Sequence, residues 1–462
     1  MFKFLPQPAI LPPLDHNFRP ASLANRAFSQ AVSECKTPQK LVLGLERMDD
    51  SFSRYDTEVF PDHHQDSIHN LFYAERILKF LLWQRGGWKV HVGGSQDIAD
   101  YLQERYSPQG HQAFDNRFMG RIYEHPFQVI PCDFSDVPAA AEQQKSLGRN
   151  MNGKRIGFDL GASDLKVSAV VNGEAVFSTE IEWHPVEQTD PNYHRDFIKS
   201  ALELAASKMD HLDAVGGSSA GVYIKNRPMV ASLYRSIPKE KFDKIHNMFL
   251  EIQDEMGIPF EIVNDGEVTA LAGSMSLEKN NVLGIAMGSS EAVGFITSSG
   301  NITDWLNELA FAPVDYQATG PVDEWSGDKG VGALYFSQQC VFRLAPKVGI
   351  IIPDQLTNAK KLKYVQEKLE VGTDDAHLIW ESIGIYLGYA LRHYADFYDI
   401  NHVLILGRCT SGRGGSIILE QANRVLDAEF PNLADQLNIL LPDEKIRRVG
   451  QSIAAASLPK IN

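Results

Sequence analysis

Apolar side chains alternate with polar or small ones at Ile156, Phe158 and Leu160, and again at Val167, Ala169 and Val171, the period of a half-buried strand. Asn172-Gly173 follows, the strongest short signal for a hairpin, so Ala175 to Trp183 is expected to return as a third strand. The pattern then changes period. Asn192 to Met209 predicts a helix, His211 to Val215 a short strand, Lys239 to Met256 a long amphipathic helix ended by Gly257, and Pro259 to Val263 another strand. The order is βββαβαβ. The second half opens in the same way, with strands at Val282 to Ala286 and Ala292 to Thr297 joined to a turn at Ser299-Gly300. A helix over His377 to Tyr398, a strand over Val403 to Leu406 and a Gly-rich turn opening a helix near Ser416 complete it. The loop Leu160-Gly161-Ala162-Ser163 stands as far before Gly173 as Met287-Gly288-Ser289-Ser290 stands before Gly300. One supersecondary unit occurring twice predicts two related lobes rather than one doubly wound sheet.

The first 150 residues follow another plan. Leu41 to Leu45 predicts a buried strand, Asn70 to Gln84 a helix stopped by Gly86-Gly87, Trp88 to Val92 a strand, and Ser95 the N-cap of a helix reaching Tyr106. This is an extra α/β module of unknown role. Met1 to Pro20 is proline-rich, lacks the form of a secretory signal and is expected to be a loose arm. The run Phe80 to Trp88 fits a packing edge and helix cap, and Asp62, His63, His64, Asp66 and His69 match no common metal-site spacing.

Composition narrows the function. A chain of 462 residues holds two or three domains, and 44% hydrophobic with 22% charged residues is ordinary for a globular protein. No segment has the apolar length of a membrane span. A formal charge of −15 repels phosphate backbones, so no nucleic-acid partner is expected. Cys35, Cys132, Cys340 and Cys409 are scattered without paired spacing, which points to a reducing, cytoplasmic location.

Two short stretches carry candidate chemistry. In Asp159-Leu160-Gly161-Ala162-Ser163 a glycine permits a sharp turn, a hydroxyl can donate to a phosphoryl oxygen, and Asp159 ends the strand where a carboxylate suits a metal ion. A plain structural turn reads the same way, and Lys166 on the hairpin rim is either phosphate-directed or solvated. In Val263-Asn264-Asp265-Gly266 a strand ends in a carboxylate before a helix starting near Glu267. Asp265 there is either a general base or a helix cap.

Taken with Gly216 to Gly221, Ile258 to Ala270, Gly288-Ser289-Ser290, Glu308 to Val314 and Leu406-Gly407, these stretches resemble the ROK family of sugar kinases, within the actin, hexokinase and Hsp70 ATPase fold. The resemblance covers roughly 154–462 and nothing before residue 150. It implies an α/β protein of duplicated ribonuclease H-like, actin-like ATPase lobes with a cleft, plus the amino-terminal α/β module. The domains are then 1–150, a first lobe at 151–262 completed by about 446–462, and a second lobe at 263–445.

The implied activity is ATP-dependent phosphoryl transfer, with Mg²⁺, to a hydroxyl of a sugar or polyol. Asp265 falls on the catalytic base and Asp159 on the metal-associated aspartate. Gly161, Ala162, Ser163, Lys166, Gly288, Ser289, Ser290 and Gly407 fall on nucleotide-binding positions, and Ser219, Gly221, Asn264, Asp265, Glu308 and Glu324 on substrate-binding ones. Departures are plain. Phe311 takes the position of a family histidine, the cysteine-rich zinc cluster is missing, and Glu291 is expected to bring negative charge to the second phosphate loop. Phe311 either stacks on an apolar sugar face or acyl group, or fills core. The alternative function is a non-catalytic sugar- or nucleotide-binding regulator. For the amino-terminal module, covering the cleft, homodimerisation and binding a second ligand all stay open.

Overall fold

The computed structural model describes residues 2–373, 375–442 and 450–461. Residues 446–449 and 462 of the segment expected to complete the first lobe lie outside the described residues. The chain forms two compact units. One comprises Met1–Gln143, Ala286–Ala292 and Asp304–Leu441, the other Gln144–Ile285, Val293–Thr303 and Pro442–Asn462.

In the second unit the expected meander is present as Lys154–Leu160, Asp164–Val171 and Glu174–Glu182, antiparallel throughout. Asn172 and Gly173 have φ of 48° and 87°, the two positive values that a two-residue primed turn requires. Ala214–Ser219 runs parallel to Lys154–Leu160, and Phe260–Asn264 runs parallel to Ala214–Ser219, giving a five-stranded mixed sheet. This is the ribonuclease H-like arrangement. Helices Pro191–Ala206 and Phe242–Met256 cover one face, burying Ile198, Leu202, Ile245 and Phe249 with Ile156, Phe158 and Val215.

The strand expected at His211 to Val215 lies further on and takes in Gly216, Gly217, Ser218 and Ser219, all buried. A glycine-serine run reads as loop, yet here small residues answer to close packing. On the other face a Cβ on Gly216 would sit 1.7 Å from the Ala455 carbonyl oxygen, and one on Gly157 would sit 1.8 Å from that of Ser452, both on the helix Gln451–Ala456. Backbone meets backbone there. The second hairpin shares the first one's spacing but not its turn: among its loop residues only Gly300, at φ 78°, is left-handed, and its third strand is only Ile302–Thr303, which pairs onward with Gln144–Lys145.

In the first unit, Phe52–Val59, Gln39–Glu46, Lys89–Gly93 and Gln128–Cys132 form a four-stranded sheet in that order. Helix Ile68–Arg85 is buried over nearly its whole surface, with Phe80, Leu81, Leu82 and Trp83 fully enclosed, as the apolar run requires. Ser95 caps helix Gln96–Arg105 by accepting from the Ile98 amide at 3.4 Å, and helix Ala113–Tyr123 follows. Helices His377–Tyr394 and Arg413–Glu429 pack closely because Gly384 and Gly388 admit the backbone of Ile418 and Ala422.

The amino-terminal arm is not loose. The Ala9 and Ile10 amides donate to Glu429 and the Tyr389 hydroxyl, the Leu14 amide donates to Ser382, and the Lys347 ammonium donates to the Leu14 carbonyl. Asp15 accepts from the Tyr386 hydroxyl, and Phe18 is sealed against Tyr335, Tyr386 and Tyr389. Prolines suit an extended strap, and composition alone does not reveal its partners.

A buried ionic network ties the same unit together. Lys79, with no exposure, contacts Asp115 at 2.8 Å and Asp328 at 3.1 Å; Arg76 contacts Glu75 at 2.6 Å and Asp328 at 2.9 Å. Gln112 donates to Glu75, and Trp83 Nε1 donates to Asp115. Two cations against one carboxylate hold Asp328 far below its ordinary range despite burial.

Candidate functional site

Three parallel strand ends line up in the second unit. Leu160 is in register with Ser219, and Ser219 with Asn264, so Asp159 and Asp265 flank the carboxyl edge of the sheet, where ligands bind in open α/β folds. The Ser218 hydroxyl donates to Asp159 Oδ1 at 2.7 Å. Burial raises the Asp159 pKa, opposed by Ser218 and by Lys166, its cross-strand partner. Asp265 is pushed up to about 6, first by burial and then by the Asp159 charge. Each keeps partial exposure.

Helix Asp265–Leu277 is capped by Asn264 rather than Asp265. Asn264 Oδ1 accepts from the Gly266 amide at 2.7 Å, while its Nδ2 donates to the Gly221 carbonyl at 2.8 Å. Asp265 Oδ1 also lies 3.0 Å from the Gly266 amide. Glycine is needed at 266 and 294, where the helix start touches the neighbouring strand: a Cβ on Gly294 would lie 2.2 Å from the Gly266 carbonyl oxygen. Gly221, at φ 116°, packs on the Val230 carbonyl, and Ser219 is fully buried and accepts from the Tyr223 hydroxyl at 2.6 Å. Tyr223 itself feels the Asp265 charge. Sequence reasoning missed Tyr223, which carries no signal beyond a short strand in a polar stretch.

The first loop is an exposed tight hairpin. The Gly161 amide donates to the Asp164 carbonyl at 2.9 Å, and Trp183 Nε1 donates to the Gly161 carbonyl at 2.8 Å. Gly161 does not have a positive φ; it is required because a Cβ would sit 2.9 Å from the Asp164 oxygen. Ala162 and Ser163 are exposed, the Ser163 hydroxyl donates to Asp164 Oδ2 at 2.9 Å, and Lys166 Nζ lies 3.7 Å from Asp164 Oδ1. Asp164 thus draws on both groups expected to serve a phosphate.

In the first unit the Gly288 amide donates to the Ser290 carbonyl at 3.0 Å, and the Gly288 carbonyl accepts from the Gln338 amide at 2.9 Å. Ser289 and Ser290 are exposed. Gly407, at φ 100°, lies against the Met287 backbone, where a Cβ would come within 2.5 Å of its carbonyl oxygen. Glu291 departs from expectation. It is buried, not facing an incoming phosphate; Tyr394 donates to one oxygen at 3.3 Å, and burial, then the charge of Glu308, pushes its pKa up to about 8, so it is mostly neutral at pH 7. Glu308 opens the short turn Leu309–Phe311 and its amide donates to the Trp83 carbonyl at 2.9 Å. Glu324 is exposed on the turn tied down by Asp323. Phe311 packs on Trp83, Phe114 and Phe118.

No family model matches the chain, and no curated protein matches it in sequence. Solved structures do. A ROK family transcriptional regulator, a homologue of the E. coli MLC protein, superposes with a TM-score of 0.54 at 16% identity over 66% of this chain and 78% of its own. The ROK hexokinase of Thermus thermophilus gives 0.51 at 13% identity over 65% of this chain and 98% of its own. The architecture is therefore an actin-like fold. Within it, the chain carries a ROK-like fold over about two thirds of its length. The same fold serves a hexokinase and a transcriptional regulator, so the fold alone assigns no activity. No helix among the described residues is long and apolar enough to cross a membrane.

Proposed function

We propose that this protein is an ATP- and Mg²⁺-dependent kinase that phosphorylates a hydroxyl of a sugar or sugar-like molecule, with Asp265 as general base. The observation that carries the reading is the Asp159–Asp265 pair at the sheet edge, in which burial and then the Asp159 charge raise the Asp265 pKa to about 6. A base with that pKa is mostly ionised at neutral pH yet close enough to it for efficient proton acceptance. Asp265 would take the proton of the acceptor hydroxyl as its oxygen attacks the γ-phosphoryl group; Asn264 would fix that carboxyl by holding Gly221 and the helix start.

Asp159, a carboxyl with one oxygen on a serine hydroxyl and partial exposure, fits a hard, oxygen-loving cation. Bound Mg²⁺ with ATP would offset the charge of the phosphoryl group being transferred. Gly161, Ala162, Ser163 and Lys166 are proposed as contacts to the phosphates, Gly288, Ser289, Ser290 and Gly407 as further nucleotide contacts, and Ser219, Gly221, Glu308 and Glu324 as substrate contacts. A cytoplasmic site of action fits an enzyme that consumes ATP and carries four free cysteines.

Asp164 favours a second reading, a non-catalytic sugar- or nucleotide-binding regulator. It places an acidic side chain within the loop proposed for phosphates. ADP release measured over sugars, amino sugars and polyols, with and without Mg²⁺, separates the two. Sugar-stimulated release supports the kinase; thermal stabilisation by a sugar without turnover supports the regulator.

A further inference from the structure

Strand Glu174–Glu182 ends the five-stranded sheet of the second unit: Asp164–Val171 pairs with one side of it, and among the described residues no strand pairs with the other. Such an edge offers a row of unpaired N–H and C=O groups, which proteins commonly blunt with short strands, proline or lysine. This strand runs for nine residues and has neither proline nor lysine. Val176, 56% exposed, is the residue passed over where the register shifts between Ala169 and Val170, so the bulge lies near the start and Phe177 to Glu182 stay regular. Phe177 and Ile181 pack partly on the core of the unit, while Ser178, Glu180 and Glu182 on the other face are exposed.

The turn tells which groups face outward. Residues flanking a two-residue primed turn bond to each other, so Val171 bonds to Glu174, and along an antiparallel ladder every second pair does likewise. Ala169, Val167 and Leu165 therefore bond to Phe177, Thr179 and Ile181, which leaves the N–H and C=O of Ser178, Glu180 and Glu182 toward the open side. The Trp183 amide, donating to the Ser163 carbonyl at 3.2 Å, keeps the same alternation. Two copies of the strand meeting antiparallel across a twofold axis must pair outward residues with outward residues. An axis at Phe177, Ser178, Glu180 or Ile181 sets glutamate against glutamate. An axis at Thr179 does not: it sets Phe177 against Ile181, Thr179 against itself and Ser178 against Glu180, and the first two are favoured kinds of cross-strand pair. We propose that this edge is where two copies of the chain meet, paired antiparallel about Thr179 so that their sheets continue into one another. None of the residues proposed for catalysis or ligand contact lies on this strand, so the contact stands apart from the kinase reading. The glutamates of the two copies share one face without being opposite, so salt strengthens the contact by screening them.

Sedimentation equilibrium on the full chain tests it. A dimer should form, and its dissociation constant should fall as sodium chloride rises from about 0.05 M to about 0.5 M. Glu180→Pro, which removes an outward N–H and leaves the bonds to Asp164–Val171 in place, should weaken the dimer by about tenfold or more. Thr179→Lys, which sets two ammonium groups face to face, should do the same, and it carries the test if the proline variant loses the wild-type melting transition. Thr179 would meet its counterpart at a non-hydrogen-bonded site, where Cα atoms come within about 4.5 Å, inside disulfide range. With oxidised glutathione as oxidant, Thr179→Cys should therefore link two copies beyond any linkage of the wild type, whereas Glu203→Cys, exposed on helix Pro191–Ala206, should not. A chain that is monomeric at every salt concentration, a dimer that salt loosens or that neither disrupting variant weakens, or linkage through Glu203→Cys as readily as through Thr179→Cys overturns the proposal. A dimer that the disrupting variants weaken but Thr179→Cys does not link pairs in another register, and that outcome overturns it too.

Discussion

Replacing Asp265 with asparagine separates the electrostatics of the site from its chemistry. The Asp265 carboxyl titrates at about 6 against an ordinary 3.8, because burial and the nearby Asp159 charge both disfavour ionisation. A shift of about two units is worth about 3 kcal/mol. The native state holds this proton more tightly than the unfolded chain does. Its contribution is thus complete below the unfolded pKa of about 3.9 and is lost as pH rises through the folded value near 6. Asp265→Asn should therefore be more stable than wild type at pH 8, by up to about 3 kcal/mol, and indistinguishable from it near pH 4. Its turnover should fall by about 10²–10⁴ while ATP still shifts its melting temperature. Urea unfolding at pH 4, 6 and 8, beside ADP release, reads both effects. If the variant matches wild type in stability at every pH, the carboxyl is not held where the argument needs it; if it turns over normally, the general-base mechanism is wrong.

Asp159→Asn should move the acid limb of the wild-type pH–rate profile to lower pH, since it removes the charge that adds to burial in raising the Asp265 pKa; an unmoved limb would show the two carboxyls to be independent. Glu291→Gln should match wild type at pH 4 and exceed it in melting temperature at pH 9, because the wild-type group, titrating at about 8, costs stability as it ionises. Lys79→Met should cost about 3–5 kcal/mol in urea unfolding by leaving Asp115 and Asp328 buried without that cation. Gly216→Ala should destabilise by about 1–3 kcal/mol, since its methyl would meet the Ala455 carbonyl; a neutral effect would mean the 451–456 helix does not press on that strand.

Period and turn chemistry made the meander legible, and both positive φ values at Asn172 and Gly173 were implicit in the residue types. They did not reveal that Gly216 to Ser219 continues a strand, because Gly216 answers to a helix more than two hundred positions away in sequence, at 451–456, and Gly217 to the Phe158 ring of the neighbouring strand. Asp159 and Asp265 were visible as strand-end carboxylates, but their mutual influence was not, since it depends on register across Ala214–Ser219. Glu291 was misjudged for a related cause. Its neighbour in the loop is exposed, and only the packing of Tyr394 and Gly332 around it shows that it points inward. The amino-terminal strap and the ionic network were equally hidden, for their partners lie hundreds of residues downstream.

The network around Lys79 also sets a timetable for making the protein. Chains emerge from the ribosome amino end first, and early domains commonly fold before later ones are synthesised. Here Glu75, Arg76, Lys79 and Asp115 are all available within the opening quarter of the message, but Asp328, which contacts both Arg76 and Lys79, is translated some two hundred and fifty residues later. Until it arrives, Arg76 and Lys79 on helix Ile68–Arg85 each lack a buried carboxylate that they contact in the finished unit. The nascent segment must wait, shielded by water or a chaperone, so a gene cut between these two regions should yield an insoluble first piece rather than a free-standing domain.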